Sequence, residues 1–235
     1  MGRDRGGSGV YKRQMSGSPF EQALSHLFAA HPWHGPAIGA KAPAVVTAYV
    51  EIVPTDTVKY ELDKATGILK VDRPQKFSNT CPTLYGFIPQ TLCGPEVGQL
   101  CDEKIGRKGT RGDDDPIDIC ILTERNIPHG NILVQAVPIG GLLMVDRDEA
   151  DDKIIAVLQG DDVYGHLTDL SECPKALIDR LHHYFLTYKQ PPGSTEHVVE
   201  IARVYGRDEA YEVISKSQND YEKAFAGITG RLRAK

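Results

Sequence analysis

The stretch Gly112-Asp113-Asp114-Asp115-Pro116-Ile117-Asp118-Ile119-Cys120-Ile121-Leu122 governs the reading of this chain. Its second half is a short apolar run of strand length, and its first half is an acidic turn closed by proline. Asp118 lies inside the apolar run, where a charge must be paired or bound to a cation. Outward from it, Val45 to Ile52 is rich in β-branched residues and reads as a strand. Val58 to Leu62 and Ile68 to Asp72 alternate apolar and polar residues around Asp63-Lys64-Ala65-Thr66-Gly67, with glycine where a hairpin bulge would sit. Asn131 to Ile139, Gly141 to Val145 and Ile154 to Leu158 are further strands. Many short strands separated by turn signals predict a small closed barrel rather than a parallel sheet.

Helical period comes late. Leu177, Leu181, Tyr184 and Tyr188 recur at three- and four-residue spacing after a cap at Ser171 and Pro174. A second helix is expected from Asp208 to Ala226, with Ala210, Val213, Ile214, Ser217, Tyr221 and Phe225 along one stripe. A short helical piece (Phe20 to Ala30) and a Pro/Gly-rich stretch (His31 to Pro43) precede the first strand. Leu92 to Gly112, with six glycines and prolines counting Gly112, is expected as a long loop. The chain therefore reads as one α+β domain over residues 18–235, behind a Gly/Arg/Ser-rich flexible leader over residues 1–17 in which Met15 is a candidate original start.

The composition agrees. A chain of 235 residues can bury roughly 70–75% of its unfolded surface without disulfides or structural zinc. Hydrophobic residues at 40% and charged residues at 25% exclude disorder over most of the length. A net charge of −5 is the wrong sign for general affinity to a nucleic-acid backbone. Five cysteines without a C-x-x-C pair point to a reducing, cytoplasmic compartment. The apolar runs fall far short of the ~18 residues a membrane helix needs, so no membrane is expected.

Four carboxylates within six residues, Asp113, Asp114, Asp115 and Asp118, repel one another unless a cation is present. Unit charges about 4 Å apart at an effective dielectric of 20 cost on the order of 4 kcal/mol per pair. In extended chain Asp113 and Asp115 point to one side, and Pro116 can return Asp118 toward them. An EF-hand fails on Ile117 and Asp118 at its fifth and sixth positions. The second acidic cluster, Asp146-Arg147-Asp148-Glu149-Ala150-Asp151-Asp152-Lys153, would alone be a charged hairpin. Together the clusters offer four or more hard oxygen ligands, the preference of Mg²⁺ or Mn²⁺. His182-His183 is read as a helix-surface pair. Lys59, Arg73, Tyr85, Tyr188 and Lys189 add the cations and phenols that a phosphate polyanion requires.

At Glu51, Lys59-Tyr60-Glu61-Leu62-Asp63-Lys64, Val71-Asp72-Arg73, Tyr85-Gly86-Phe87-Ile88-Pro89, Asp113-x-Asp115-Pro116-x-Asp118, Asp146, Asp151-x-Lys153 and Tyr188-Lys189 the chain resembles family I soluble inorganic pyrophosphatases, in a divergent, chlamydial-like branch. The resemblance runs in order over residues 44–190, and its D-x-D-P-x-D element is specific. It implies a five-stranded OB-like barrel flanked by helices, and hydrolysis of pyrophosphate to two orthophosphates by in-line attack of metal-activated water, without a covalent intermediate. It also implies that Asp113, Asp118 and Asp151 share one divalent ion, Mg²⁺ or in substitution Mn²⁺, with Asp118 bridging to a second. Asp146 and Asp151 would hold a further ion, helped by Glu51 or Glu61 through water. Asp115 would be the general base, and Lys59, Arg73, Tyr85, Lys153, Tyr188 and Lys189 would bind phosphate. A homo-oligomer, hexamer or dimer, is implied too.

The chain departs from the family at Cys81, where a tyrosine is common, at Leu84 in place of asparagine, and at Arg147 in place of an acid. Lys104, Arg107, Lys108 and Arg111 make an anion-attracting lid one expectation for the 92–112 loop, beside a plain solubilising loop. Two other functions compete. An oligonucleotide-binding barrel would want exposed aromatics over a basic face. A phosphohydrolase for nucleotides or polyphosphate would need a slot for a base or an open-ended channel.

Overall fold

A computed structural model describes residues 31–190, 193 and 198–226, so the helix expected over Phe20 to Ala30 and the leader lie outside the described residues. Strands β1 (Val46–Ile52), β4 (Leu84–Phe87), β6 (Asp118–Leu122), β9 (Lys153–Leu158) and β7 (Ile132–Asp146) pair in that order, and β7 returns to pair with β1. Five strands thus close into a ring, the expected barrel. All its pairings are antiparallel except β6 with β9. Strands β2 (Val58–Leu62) and β3 (Leu69–Pro74) form a separate hairpin around Gly67. The short β5 (Arg111–Gly112) and β8 (Glu149–Ala150), and β10 (Val199–Gly206), extend the sheet beyond the ring.

The two strands read at 131–139 and 141–145 are one long strand. β7 runs through Pro138 because a register shift between Pro138 and Gly140 absorbs the missing donor, as proline inside a sheet requires. Its first half pairs with β1, its middle with β9 and its end with β10. Alternate residues of the ring feed two apolar clusters. Ile119 and Ile121 pack with Val97, Leu100, Val213 and Ile214, whereas Cys120 and Leu122 pack with Leu181, Tyr184 and Phe185. Burial on both faces is why β6 reads as an uninterrupted apolar run.

The segment expected as a loop is largely helix. α1 (Pro95–Ile105) starts on Pro95 and ends before Gly106, and buries Val97, Leu100 and Cys101 at helical spacing. Glycine density hid that period. α2 (Lys175–Thr187) and α3 (Arg207–Ala224) fall where expected, and Ala210, Val213, Ile214, Ser217 and Tyr221 of α3 are buried. Ser171 does not cap α2. It sits in a 3₁₀ turn (Leu170–Glu172) whose cap is Asp169. Of the four basic residues of this segment, Lys104 meets Glu209 and Glu212, Arg107 meets Glu200 and Arg111 meets Glu149.

Buried Asp220 of α3 joins the two helices. Its carboxylate accepts the Glu96 backbone N–H at 2.9 Å and the Val97 N–H at 3.2 Å, donors that α1 cannot satisfy internally. Asp220→Ala is expected to lower stability by about 2 kcal/mol, read as a lower urea midpoint at unchanged slope. An unchanged midpoint would show that apolar packing alone seats α1.

Candidate active site

The acidic turn is fixed by backbone before any side chain acts. Cys93 N–H donates to the Asp115 carbonyl at 2.7 Å, and Asp114 N–H donates to the Cys93 carbonyl at 3.0 Å. A Cβ on Gly112 would stand 2.0 Å from that same Cys93 carbonyl, so only glycine permits the approach. Asp114 takes a positive φ of 60°, which an aspartate tolerates. Asp113 and Asp115 both line one cavity of about 280 Å³, while Asp114 does not.

Strand register supplies the next pair. Asp118 is the register partner of Lys153 across the parallel β6–β9 pair, and register partners share a face of the sheet. The Lys153 ammonium donates to Asp118 Oδ2 at 2.5 Å and to Asp151, and the Tyr85 hydroxyl donates to the same Asp118 oxygen at 2.5 Å. The charge inside the apolar strand is therefore paired, as its position demands. Lys189, just beyond α2, donates to Asp146 Oδ2 at 2.6 Å and stands 5.3 Å from the centre of the Tyr188 ring. Lys59 donates to Glu61 at 2.7 Å, and the Lys64 ammonium meets Asp115.

Twelve of the thirteen residues expected at the site line this cavity: Glu51, Lys59, Glu61, Tyr85, Asp113, Asp115, Asp118, Asp146, Asp151, Lys153, Tyr188 and Lys189. Arg73 stands outside the lining, paired with Asp72 and 6.0 Å from the Tyr188 ring centre. The lining also holds Trp33, Lys64, Glu149, Tyr184 and Phe185, which sequence reasoning did not single out. Trp33 comes from the Pro/Gly-rich stretch before the barrel. The two aromatics belong to the apolar stripe of α2. Asp152, next to Asp151, turns away, and the Tyr205 hydroxyl donates to it at 2.8 Å.

Burial and like charge set the protonation states. Burial, then Asp151, pushes the Asp113 carboxyl up to about 8, with Lys153 opposing. Burial pushes Glu51 up to about 8, offset in part by the Leu62 N–H donating to it at 2.7 Å. Burial would push the Lys153 ammonium down, but Asp118 and Asp151 hold it well above the ordinary lysine range. Eight carboxyl groups face four ammonium groups around the cavity. Among the described residues, however, no three His, Cys, Asp or Glu side chains are arranged as a ready cation cage. The lysines stand between the aspartates instead.

Residues 48–222 match the protein family described as inorganic pyrophosphatase. An inorganic pyrophosphatase of Chlamydia trachomatis serovar L2 is 53% identical over 203 residues, which span 85% of this chain and 97% of that protein. A soluble inorganic pyrophosphatase of Oryza sativa subsp. indica is 42% identical over 69% of this chain and 67% of its own length. The crystal structure of inorganic pyrophosphatase from Thermus thermophilus superposes with a TM-score of 0.69 at 28% identity, covering 82% of this chain and 99% of that one.

A carboxyl whose folded pKa lies above its unfolded value adds stability fully below the unfolded value and loses it as pH rises through the folded one. For Glu51 that loss runs from 4.5 to about 8. In chelator, the wild-type Tm is expected to fall further than that of Glu51→Gln between about pH 5 and about pH 9. Parallel Tm curves would show that Glu51 is ionised at no cost to the fold.

Proposed function

The chain belongs to the inorganic pyrophosphatase family and hydrolyses pyrophosphate to two orthophosphates; we propose that the Asp113–Lys189 cavity is where it does so, with Asp115 as the general base. One observation carries this reading. Five aspartates from two acidic segments far apart in sequence converge on one cavity with Lys153 and Lys189.

The family is metal-dependent, and the donor set fits a hard dication. Carboxylates exceed ammonium groups around the cavity, and among the described residues no thiol or imidazole lines it. We propose Mg²⁺, with Mn²⁺ as substitute. Asp113, Asp118 and Asp151 would hold one ion, and Asp118 would be shared with a second. Asp146 and Asp151 would hold another, with Glu51 and Glu61 reaching it through water. Bound dications supply neutralisation of the phosphoryl oxygens and a more acidic water.

The chain's own groups do the rest. Among the described residues no serine, threonine, cysteine or histidine lines the cavity, which supports water as the nucleophile. Asp115 takes a proton from that water on its carboxylate as the oxygen attacks phosphorus in line. The bridging P–O bond breaks, and its electron pair leaves with the second phosphate. Lys59, Arg73, Lys153 and Lys189 offset the charge that grows there, and the Tyr85 and Tyr188 hydroxyls orient the oxygens. Lys153 can turn to phosphate only where Asp118 and Asp151 have another cationic partner.

We propose further that the protein is cytoplasmic and self-associates. All five cysteines are free and buried, in keeping with a reducing compartment, and no helix among the described residues is long and apolar enough to cross a membrane. Ile68, Val71 and Phe77, each more than half exposed on or beside the β2–β3 hairpin, support a contact between copies.

Phosphate release from pyrophosphate, ATP and tripolyphosphate, each with Mg²⁺ and with chelator, tests substrate and metal together. Turnover is expected for pyrophosphate with Mg²⁺ alone. Faster turnover of ATP, or turnover in chelator, would overturn the corresponding assignment. Asp115→Asn is expected to lower kcat by about 10²–10⁴-fold at unchanged Tm. Near-normal kcat would remove Asp115 as the base.

A further inference from the structure

Asp115 is held by one side chain from outside its own segment, and that side chain belongs to the tip of the β2–β3 hairpin. The Lys64 ammonium meets Asp115 Oδ1 as an ion pair, and among the described residues that buried oxygen accepts no hydrogen bond. Both side chains are close to half exposed, 46% and 44%, so the pair contributes little to stability and its value must lie elsewhere.

The hairpin tip is stiff. Asp63 Oδ1 accepts the Thr66 N–H at 2.9 Å and its hydroxyl at 2.8 Å, and Gly67 N–H closes the turn on the Asp63 carbonyl at 2.8 Å. The tip is also docked. His31 Nδ1 accepts the Trp33 N–H at 3.3 Å, which leaves Nε2 as the protonated nitrogen, and Nε2 donates to the Lys64 carbonyl at 3.1 Å. Gly67, at φ 71°, lies so close that a Cβ there would stand 2.7 Å from the His31 ring.

Those contacts close a circuit through the catalytic turn. Trp33 Nε1 donates to the Thr91 carbonyl at 2.8 Å, and the Thr91 hydroxyl accepts the Ile117 N–H at 3.0 Å, two residues beyond Asp115. From arm to hairpin, hairpin to Asp115, and Ile117 through Thr91 back to the arm, every step is a named hydrogen bond, ion pair or covalent bond. Trp33 and Lys64 both line the cavity as well.

We propose that Lys64 is a positioning residue for Asp115: its ammonium fixes one carboxylate oxygen, leaving the other free to take the proton, and the His31–Trp33 arm sets where Lys64 stands. The inference rests on the assignment of Asp115 as the base. It predicts a defect in turnover rather than in binding or folding, because Lys64 aims a reacting group and misaiming by an ångström can cost up to about 10²-fold.

Steady-state hydrolysis of pyrophosphate by the full chain at saturating Mg²⁺ provides the test. Lys64→Met is expected to lower kcat about tenfold, with KM within about twofold and Tm unchanged. Lys64→Arg, which keeps the charge, should restore most of the loss. His31→Ala should lower kcat in the same direction by a smaller factor. In an Asp115→Asn background, Lys64→Met should add nothing, because the group it aims is gone. Wild-type kcat in Lys64→Met, a rise in KM in place of the fall in kcat, or full additivity with Asp115→Asn would each overturn the proposal. Should Asp115→Asn itself turn over normally, the base assignment fails first. A silent Lys64→Met beside an inactive Asp115→Asn overturns the positioning role alone.

Discussion

Closure of the barrel forces a lysine and an aspartate onto the same buried patch, and the site is organised around that pair. Lys153 is 2% exposed and Asp118 is its register partner. An ammonium buried so deeply is tolerable only while its oxygen partners stay in place, and removing one member of such a pair costs about 3–5 kcal/mol. Asp118 and Asp151 are those partners, and Tyr85 adds a hydroxyl to the same Asp118 oxygen. Strand register therefore fixes a polar cluster that no loop could hold as firmly. The acidic turn, the β2–β3 hairpin and the end of α2 bring their charges to its rim.

Legibility in the sequence followed the range of the interactions involved. The hairpin at Gly67, the strand carrying Asp118 and the stripes of α2 and α3 are local patterns, and all appear where their periods place them. Repulsion within the first acidic turn called for a counter-charge, whereas the grouping of Asp113 and Asp118 with Asp146 and Asp151 came from the family resemblance. α1 escaped because its residues Val97, Leu100 and Cys101 carry the helical period through a segment punctuated by glycine. What fixes its first turn is Asp220, more than a hundred residues away. Trp33 does not read as a site residue in the sequence, and Lys64 reads only as part of the hairpin motif. Their places depend on the arm crossing the hairpin tip, a tertiary contact without a sequence period.

The divergent position Cys81 fits the same frame. It is buried in the cluster that holds Tyr184 and Phe185, and burial pushes its thiol up to about 11, so it is neutral and acts as a small apolar filler. The hydroxyl that a tyrosine would bring there is absent. Tyr184 and Phe185 pack edge to face at 5.1 Å, and both reach the cavity wall. Cys81 itself is not among the cavity-lining residues, so it bears on the wall only through the cluster it shares with Tyr184 and Phe185.

The charge arrangement also ties each lysine of the cavity to the carboxylate it would have to leave to meet an anion. Lys59, Lys64, Lys153 and Lys189 are each held by a carboxylate: Glu61, Asp115, the Asp118–Asp151 pair and Asp146. A polyanion entering alone could recruit Lys153 or Lys189 only by leaving aspartates uncompensated in a cavity whose carboxylates already outnumber its cations. Repulsion at the scale of several kcal/mol per close pair opposes that exchange. A cation on those aspartates would free the ammonium groups for phosphate oxygens. By linkage, a dication that displaced a lysine from its aspartate and a phosphate that took up that lysine would each raise the affinity for the other by the same factor.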